Sequence, residues 1–538
     1  MIMKEQQHEV YETKDVAGRL AKGFLKNPLT ALLGAFLLLM GYLALNIMPR
    51  EEDPQIAISG GTVMVAMPGA TASEVEKVII NPLERKLREI KGIEHIQGMA
   101  MDNVGIVNVM YYIGENREDS NLKLYDKVMQ NMDELPKGAM QPLIKPFDID
   151  IDIPIVTVAF YAKDPSKVNQ VQLYNKIRSI QQELNGIESV SKTTLKGDHR
   201  AQYNVQVDLN KLSGYHLSLG QIMQGVKSVA NSAPSVKSRT DDGGMVVLGV
   251  KNAIESVEDV GNIAVADYGG SLIYLKDVAT ITEGVDIQNY KNATIMFRDE
   301  NSSNISQQYP QTTLSISKLA GTNAVNVAND VLEVIKKNEK ILNDAGIGYV
   351  VTRNYGIRAD NAVNELMHHL IITIIIISLM LIFALGWRES LIVTFTVPAI
   401  LAITLFVAYL GGQTINRITL FAFLLSLGLL VDAAIIVIEN IHRHLHSHTS
   451  HDQSMEELLV EATDEIGPPT NIATLAIILT MVPMAFVGGM MGSFMKPIPY
   501  NVPVALVASL FVAYIFTPYL SLKLLKKPTH KSAHKETK

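Results

Sequence analysis

The sequence predicts an α+β membrane protein: a six-helix transmembrane bundle with a large extracytoplasmic insert built on two ferredoxin-like βαβ units. Three observations predict it. Apolar runs of span length occur once near the start and five times after residue 361. Basic residues collect outside the first and last of them. Between Pro49 and Asn361 strand and helix patterns alternate, with no apolar run long enough to span.

Composition sets the outer bounds. Of 538 residues, 48% are hydrophobic and 19% charged, against about 25% charged in an average soluble domain. The deficit is concentrated in the apolar segments, which excludes an ordinary cytosolic enzyme. A net charge of −7 argues against nucleic acid as a partner. With no cysteine, disulfides, thiolate zinc sites and iron–sulfur clusters are excluded. No phosphate-cradling glycine loop followed by Lys-Ser/Thr occurs, which argues against ATP-driven work.

The spans come first. A helix needs roughly 20 apolar residues to cross the hydrocarbon core, and Pro28 to Met48 supplies them without a charge. Its length, and the lack of a small-x-small cleavage site, distinguish it from a signal peptide. Five more follow at Asn364–Leu385, Leu391–Leu410, Ile418–Ile441, Thr470–Val487 and Val502–Leu522. Gly386-Trp387-Arg388-Glu389, Gly411-Gly412-Gln413, a His-rich loop and Gly488-Gly489 separate them. Lys14, Arg19, Lys22 and Lys26 precede the first span; Lys523, Lys526, Lys527, Lys531, Lys535 and Lys538 follow the last. Positive residues stay inside, so both termini are expected to be cytoplasmic and the insert extracytoplasmic.

Within the insert, Thr62–Ala66 reads as a strand, Pro68-Gly69 turns it, and Thr71–Ile90 has helical spacing through Val75, Val78, Ile79, Leu83 and Leu87. Gly92 ends that helix and Ile93–Ile96 opens a strand. The order recurs in Ile155–Phe160, Val171–Leu184 and the turn Gly186-Ile187-Glu188-Ser189-Val190, which repeats Gly-Ile-Glu-x-aliphatic. Two such units suggest paired ferredoxin-like subdomains. From 196 to 284 short strands and turns such as Asp241-Asp242-Gly243-Gly244 read as a module inserted in the second unit, and Thr312–Ser317 and Ala324–Ile341 complete it. Arg298 to Pro310 reads as a solvated loop.

One span carries charge. Asp432 lies well inside Leu427–Asn440. An ionised carboxylate there costs at least about 2.5–3.5 kcal/mol, and such residues usually face a bundle interior and serve ion or proton movement. The structural alternative is a protonated Asp making a polar helix–helix contact. Glu439, seven residues on, shares its face about 10 Å along the axis and is a candidate exit relay; near the cytoplasmic end a solvated carboxylate is the plainer reading. No Lys or Arg lies inside a predicted span, and His368 and His369 fall near the outer end of theirs. Asp432 therefore works with water alone or with a cation from another chain.

These residues carry a resemblance. Gly428-Leu429-Leu430-Val431-Asp432-Ala433-Ala434-Ile435 with Glu439-Asn440 resembles the fourth-helix motif of resistance–nodulation–division (RND) efflux permeases. Pro68-Gly69-Ala70 with Val75-Glu76 and Pro82-Leu83-Glu84 is similar to the family's first porter helix. Pro483-Met484-Ala485-Phe486 and Thr517-Pro518-Tyr519-Leu520 resemble its fifth and sixth spans. The resemblance implies a proton-driven exporter of the bacterial inner membrane, not an enzyme and without a cofactor. Asp432 and Glu439 would be its proton relay and fourth-helix carboxylate uptake its drive. It also implies trimers, a periplasmic adaptor protein and an outer-membrane channel. The implied plan is a cytoplasmic N-terminus 1–27, span 28–48, porter subdomains 49–140 and 141–195 with 285–361, a docking module 196–284, spans 2–6 in 362–522 with a cytoplasmic loop 442–468, and a basic tail 523–538.

Two departures matter. Many multidrug members carry a second aspartate where this chain has Ala433; the Asp-Ala-Ala form is similar to heavy-metal exporters. Family permeases usually have two six-span halves, and this chain resembles the first; either a split transporter, with a separately encoded second RND half as partner, or a truncated chain explains this. Hydrophobic or amphiphilic compounds are the leading cargo, with metal cations the alternative. A SecD-like protein-export accessory and a non-transporting membrane scaffold are the competing readings.

Two clusters are read as structural. His442, His444, His446, His448 and His451 have the alternation of a metal-binding tract, but a flexible polar loop without metal is the simpler reading. Met455, Leu458, Leu459, Ala462 and Ile466 then form an amphipathic helix on the inner membrane surface, capped by Asp452 or Ser454 and ended by Gly467-Pro468. Met64, Met67, Met99, Met101 and Met110 suit Cu(I) by ligand type, but read as ordinary packing.

Overall fold

The structure is a computed structural model and describes residues 11–526, apart from residue 57 and the segments 149–151, 198–200, 231–235, 249–253, 286–291, 299–304 and 448–452 and residues 241, 243 and 269. The chain opens with a short helix α1 (Val16–Phe24) and a first apolar helix α2 (Leu29–Ile47).

The first αβ unit follows. β1 (Ser59–Ala66) leads through α3 (Ala72–Val75), a π-helical turn and α4 (Asn81–Leu87) to β2 (Ile93–Met101) and β3 (Val104–Tyr111). Then come α5 (Arg117–Gln130) and β4 (Leu143–Asp148). Thr71 and Glu74 form a reciprocal capping box that starts α3. The antiparallel sheet has order β2-β3-β1-β4. Alternation on β3 sends Val107, Val109 and Tyr111 inward against Ile79, Leu83 and Leu124 of the helices.

The second unit is built from distant parts of the chain. β5 (Val156–Ala162), α6 (Gln170–Leu184) and β6 (Val190–Lys196) come first. A module then intervenes, closed by a ribbon in which β7 (Ala201–Val207) pairs antiparallel with β12 (Ala279–Val285). It holds α7 (Leu209–Gly214), α8 (Leu219–Ala230), the hairpin β8 (Val236–Arg239)–β9 (Met245–Leu248), α9 (Val257–Gly261), the pair β10 (Ala264–Tyr268)–β11 (Ser271–Tyr274) and α10 (Leu275–Val278). Leu212, Ile222, Val260 and Leu275 give the module a core of its own. The sheet resumes with β13 (Thr294–Ile295) and β14 (Tyr309–Lys318), then α11 (Ala324–Lys337), α12 (Glu339–Asp344) and β15 (Ile347–Asn354). Its order is β13-β14-β5-β15, with β6 also on β14.

The repeated pentapeptide does not make the same turn twice. Gly92 takes a left-handed φ of 90°, a conformation that favours glycine, whereas Gly186 is not among the positive-φ residues. The helix before Gly92 also stops at Leu87, earlier than its periodicity predicts. The turn Asp241–Gly244 and the loop Arg298–Pro310 lie partly outside the described residues.

Among the described residues six helices are long and apolar enough to cross a membrane. After α2 they are α13 (Tyr355–Ala384), α14 (Trp387–Leu410), α15 (Arg417–His446), α16 (Met455–Ala485) and, following the short α17 (Gly489–Met495), α18 (Pro497–Leu524). α18 is the hub, packed by α14, α15 and α16, while α2 lies on α14. Leu32, Phe36 and Leu39 of α2 and Ile375, Ile376, Leu379 and Phe383 of α13 are exposed. A surface of that kind suits a helix that faces lipid or another protein.

Two expectations fail here, and a third feature was not anticipated. The first concerns α16, which runs unbroken through Gly467, Pro468 and Pro469, so 455–466 is the beginning of a long helix and not a separate surface helix. Proline removes a backbone hydrogen bond, but neighbours in a bundle compensate. Gly467 lets α1 approach so closely that a Cβ there would sit 2.3 Å from Asp15 Oδ2 and 2.7 Å from the Ala17 Cβ. The second concerns the His tract: α15 extends to His446, so His442, His444 and His446 are helical, while His448 and His451 lie outside the described residues. The third is α1, which hydropathy passes over. Asp464 of α16, 3% exposed, accepts hydrogen bonds from Lys14 N at 2.7 Å, Asp15 N at 2.8 Å and the Tyr11 hydroxyl at 2.9 Å. It therefore takes up the backbone N–H groups of the two residues that lead into α1, whose N-cap Asp15 makes no side-chain cap bond. Burial and this bond push the Tyr11 phenol up to about 12.

Candidate functional site

The fourth span is positioned at both ends. Asn416 caps α15 by accepting from Ile418 N and Thr419 N. At the other end, the C-terminal residues bond to both neighbouring helices. Asn440 donates to Ala462 O at 2.7 Å and to Glu465, which Arg443 also holds through two contacts of 2.9 Å. His444 Nε2 lies 2.7 Å from Glu465, and His442 Nδ1 lies 3.1 Å from Glu389 of α14.

Between these anchors one stripe of α15 is bare. Phe421, Leu425, Gly428, Asp432, Ile436 and Glu439, spaced three or four residues apart, are all exposed, while Leu427, Leu430, Val431, Ala434 and Val437 are buried. A Cβ built on Gly428 meets nothing within 4 Å. Asp432 and Glu439 therefore share a face, as their spacing predicts. That face is not the interior of the six helices. It is the outer side of α15, because α14, α16 and α18 occupy the others. Among the described residues neither carboxylate has an ion-pair or hydrogen-bond partner. His368 and His369 are exposed on α13, and His369 faces Glu365 at 3.5 Å. No group of three or more His, Cys, Asp or Glu able to hold a metal occurs among the described residues. Met64 and Met99 flank Ile106 across the open face of the first sheet, and Met110 lies further along it beside His95, so the methionines form a dispersed row.

A second constellation escaped the sequence analysis. Four consecutive charged residues after α2 each have their own partner. Arg50 pairs with Asp360 of α13 at 2.8 Å, Glu51 with Lys318 of β14 at 2.5 Å, Glu52 with Arg358 of α13 at 2.9 Å, and Asp53 with Arg417 of α15 at 2.7 Å. Glu51 and Lys318 are buried, and Thr414 and Gln55 also donate to Glu51. Backbone bonds from Glu51 N to Ile415 O and from Ala324 N to Arg50 O complete a joint between the helices and the second sheet. Burial pushes the Glu52 carboxyl upward, and its second oxygen is buried without a partner. The run Arg-Glu-Glu-Asp at the end of a span was the available signal; its partners, hundreds of residues away, were not.

The profile of the AcrB/AcrD/AcrF family matches residues 20–537. The chain belongs to that family. It is an RND-type membrane protein, and several of its relatives are named as solvent, toluene or multidrug pump transporters. The solvent-resistant pump membrane transporter SrpB of Pseudomonas putida is 25% identical over 96% of this chain and 48% of its own length. The toluene efflux pump membrane transporter TtgE of the same species is 24% identical over 96% and 49%. An uncharacterized transporter of Haemophilus influenzae is 24% identical over 94% and 47%. The chain spans about half the length of the curated relatives it matches.

Proposed function

We propose that this RND protein is a proton-motive-force-driven efflux permease subunit that exports hydrophobic or amphiphilic compounds. It would work against a second six-span unit of the same family. The observation that carries this reading is the bare stripe of α15: a carboxylate in a lipid-crossing helix, next to a glycine with open space, on a face that no helix of the bundle covers. A charge there is costly in lipid, so a second six-span unit bringing a Lys or Arg to Asp432 is the economical way to complete it. Protonation of Asp432, with Glu439 as exit relay, removes the attraction and lets the two units shift.

The ion-paired joint at Arg50–Asp53 ties α13 and α15 to β14 and would carry that shift into the αβ insert. The two sheet units are read as ferredoxin-like porter subdomains, and the module between β6 and β13 as the docking element for a periplasmic adaptor and an outer-membrane channel. The bundle would lie in the inner membrane with both termini cytoplasmic, in trimers. The names of the solvent and toluene pumps support an apolar cargo; the scattered methionines give a metal cargo weaker support.

The test is to purify the tagged chain from its native membrane in mild detergent and identify its companions by mass spectrometry. A second six-span unit with a Lys or Arg inside a span, present in equal amount in the same complex, is the expected result; its absence would sink this reading. In cells, Asp432→Asn should leave assembly intact and abolish export, reducing cargo efflux by at least tenfold. Undiminished efflux would return the scaffold reading.

A further inference from the structure

Beside the joint, where α17 folds back towards the αβ units, two cavities meet. One, of about 580 Å³, is walled by Ile56, Ile153, Ile155, Met490, Met491 and Phe494 as well as by the joint itself. The other, of about 300 Å³, is lined mainly by residues with polar side chains, Gln413, Lys496 and Tyr500 among them. Pro54 and Gln55 line both. Each volume falls in, or at the edge of, the range of about 300–1,000 Å³ typical of ligand sites.

The charges of the two compartments differ. On the apolar side every carboxylate already has a cation, since Glu51, Glu52 and Asp53 pair with Lys318, Arg358 and Arg417. The polar side is lined by no carboxylate, and Lys496 makes no ion pair among the described residues. Two uncharged donors stand beside it. Asn501, 1% exposed, donates to Gln413 Oε1 at 2.8 Å and so leaves the Gln413 amino group as the free end. The Tyr500 hydroxyl has no hydrogen-bond partner among the described residues. An ammonium, an amide N–H and a phenol that all lack acceptors suit an anion. A neutral apolar guest would leave them unpaired, and a cation would meet Lys496 directly. Tyr409 and Tyr500, both partly exposed at this end of the bundle, occupy the belt where aromatic side chains sit at headgroup level.

We propose that the two cavities form one binding site for an anionic amphiphile, with its acyl chain among Ile56, Ile153, Met490, Met491 and Phe494 and its head on Lys496, Gln413 and Tyr500. The chemistry is that of a fatty acid carboxylate or an anionic phospholipid headgroup. The site is separate from the α15 stripe and needs no assumption about what the protein exports.

Photo-crosslinking tests it. The native complex, transferred to phosphatidylcholine nanodiscs, is irradiated with a diazirine fatty acid in one arm and diazirine phosphatidylglycerol in the other, and labelled peptides are mapped by mass spectrometry. The expected label falls on peptides containing Gln55–Ile56 or Met490–Phe494, is displaced by oleate and survives oleylamine. Labelling from the fatty acid arm alone identifies a free acid, and from the phosphatidylglycerol arm alone a phospholipid; either supports the site. Lys496→Gln, at an exposed position that should not disturb folding, cuts this labelling roughly tenfold, as expected for loss of one charge-assisted hydrogen bond, and Lys496→Arg preserves it. Label spread evenly over α2 and α13 overturns the proposal. So does equal displacement by oleate and oleylamine, or labelling unchanged in Lys496→Gln.

Discussion

Glu51 and Lys318 show how much a single side chain can decide here. They are 5% and 8% exposed on their side chains, one on the linker after the first span and the other at the end of a central strand. Removing one partner of such a pair leaves a buried charge alone, at a cost of about 3–5 kcal/mol. Lys318→Met should therefore lower the unfolding temperature in detergent sharply. The double variant Lys318→Met with Glu51→Gln should recover much of that loss, because no charge is then stranded. Equal loss in the single and double variants would show that the pair's packing, and not its charge, holds the joint. Asp432 is the opposite case at the same scale. Its place inside an apolar run was legible in the sequence, because no other reading of an ionisable group there is cheap. That it points out of the six helices was not, since periodicity orders residues around a helix without saying which side a neighbour will cover.

Helix α1 and its seat on α16 belong to the scale of elements. Two glycines make the close approach feasible. A Cβ on Gly18 would sit 2.3 Å from Asp464 Oδ1, whereas a Cβ on Gly23, in the same helix, meets nothing within 4 Å. Gly18→Ala should destabilise the protein by about 1–3 kcal/mol through overpacking. Gly23→Ala should be neutral or stabilise it by up to about 1 kcal/mol through helix propensity. Thermal unfolding of both variants in the same detergent checks the pair, and equal effects would refute the seat. In the sequence this stretch showed only the basic residues that orient the first span. Its capping group, Asp464, lies about 450 residues away, and no local pattern announces that. α16 is a like case: Gly467-Pro468 reads locally as a stop, yet the helix runs on through it, packed by α1, α15 and α18.

For the whole molecule, the bare stripe on α15 is the feature with most consequence. Gly428 faces open space one turn before Asp432, so a bulky residue there should leave the bundle folded and interfere only with what packs against it. Gly428→Phe should preserve the unfolding temperature of this chain and reduce recovery of the companion subunit by at least tenfold in the affinity purification. Full recovery would place the companion on another face. The helices around this stripe were readable because a hydrocarbon slab demands a fixed length of apolar residues, and the alternating strands and amphipathic helices of the insert because burial of one face imposes a period. The order of the second sheet, in which β14 joins β5 and β6 across the inserted module, depends on which edges meet after the module has folded, and that is a question of non-local pairing. What the sequence by itself determined was which stretches are apolar and long enough to span and that the fourth of them carries carboxylates, since each follows from the local cost of placing a side chain or a backbone group in lipid or water. The partners of residues 50–53, the seat of α1 and the outward direction of Asp432 were decided only by tertiary structure, because each depends on groups brought together from distant parts of the chain.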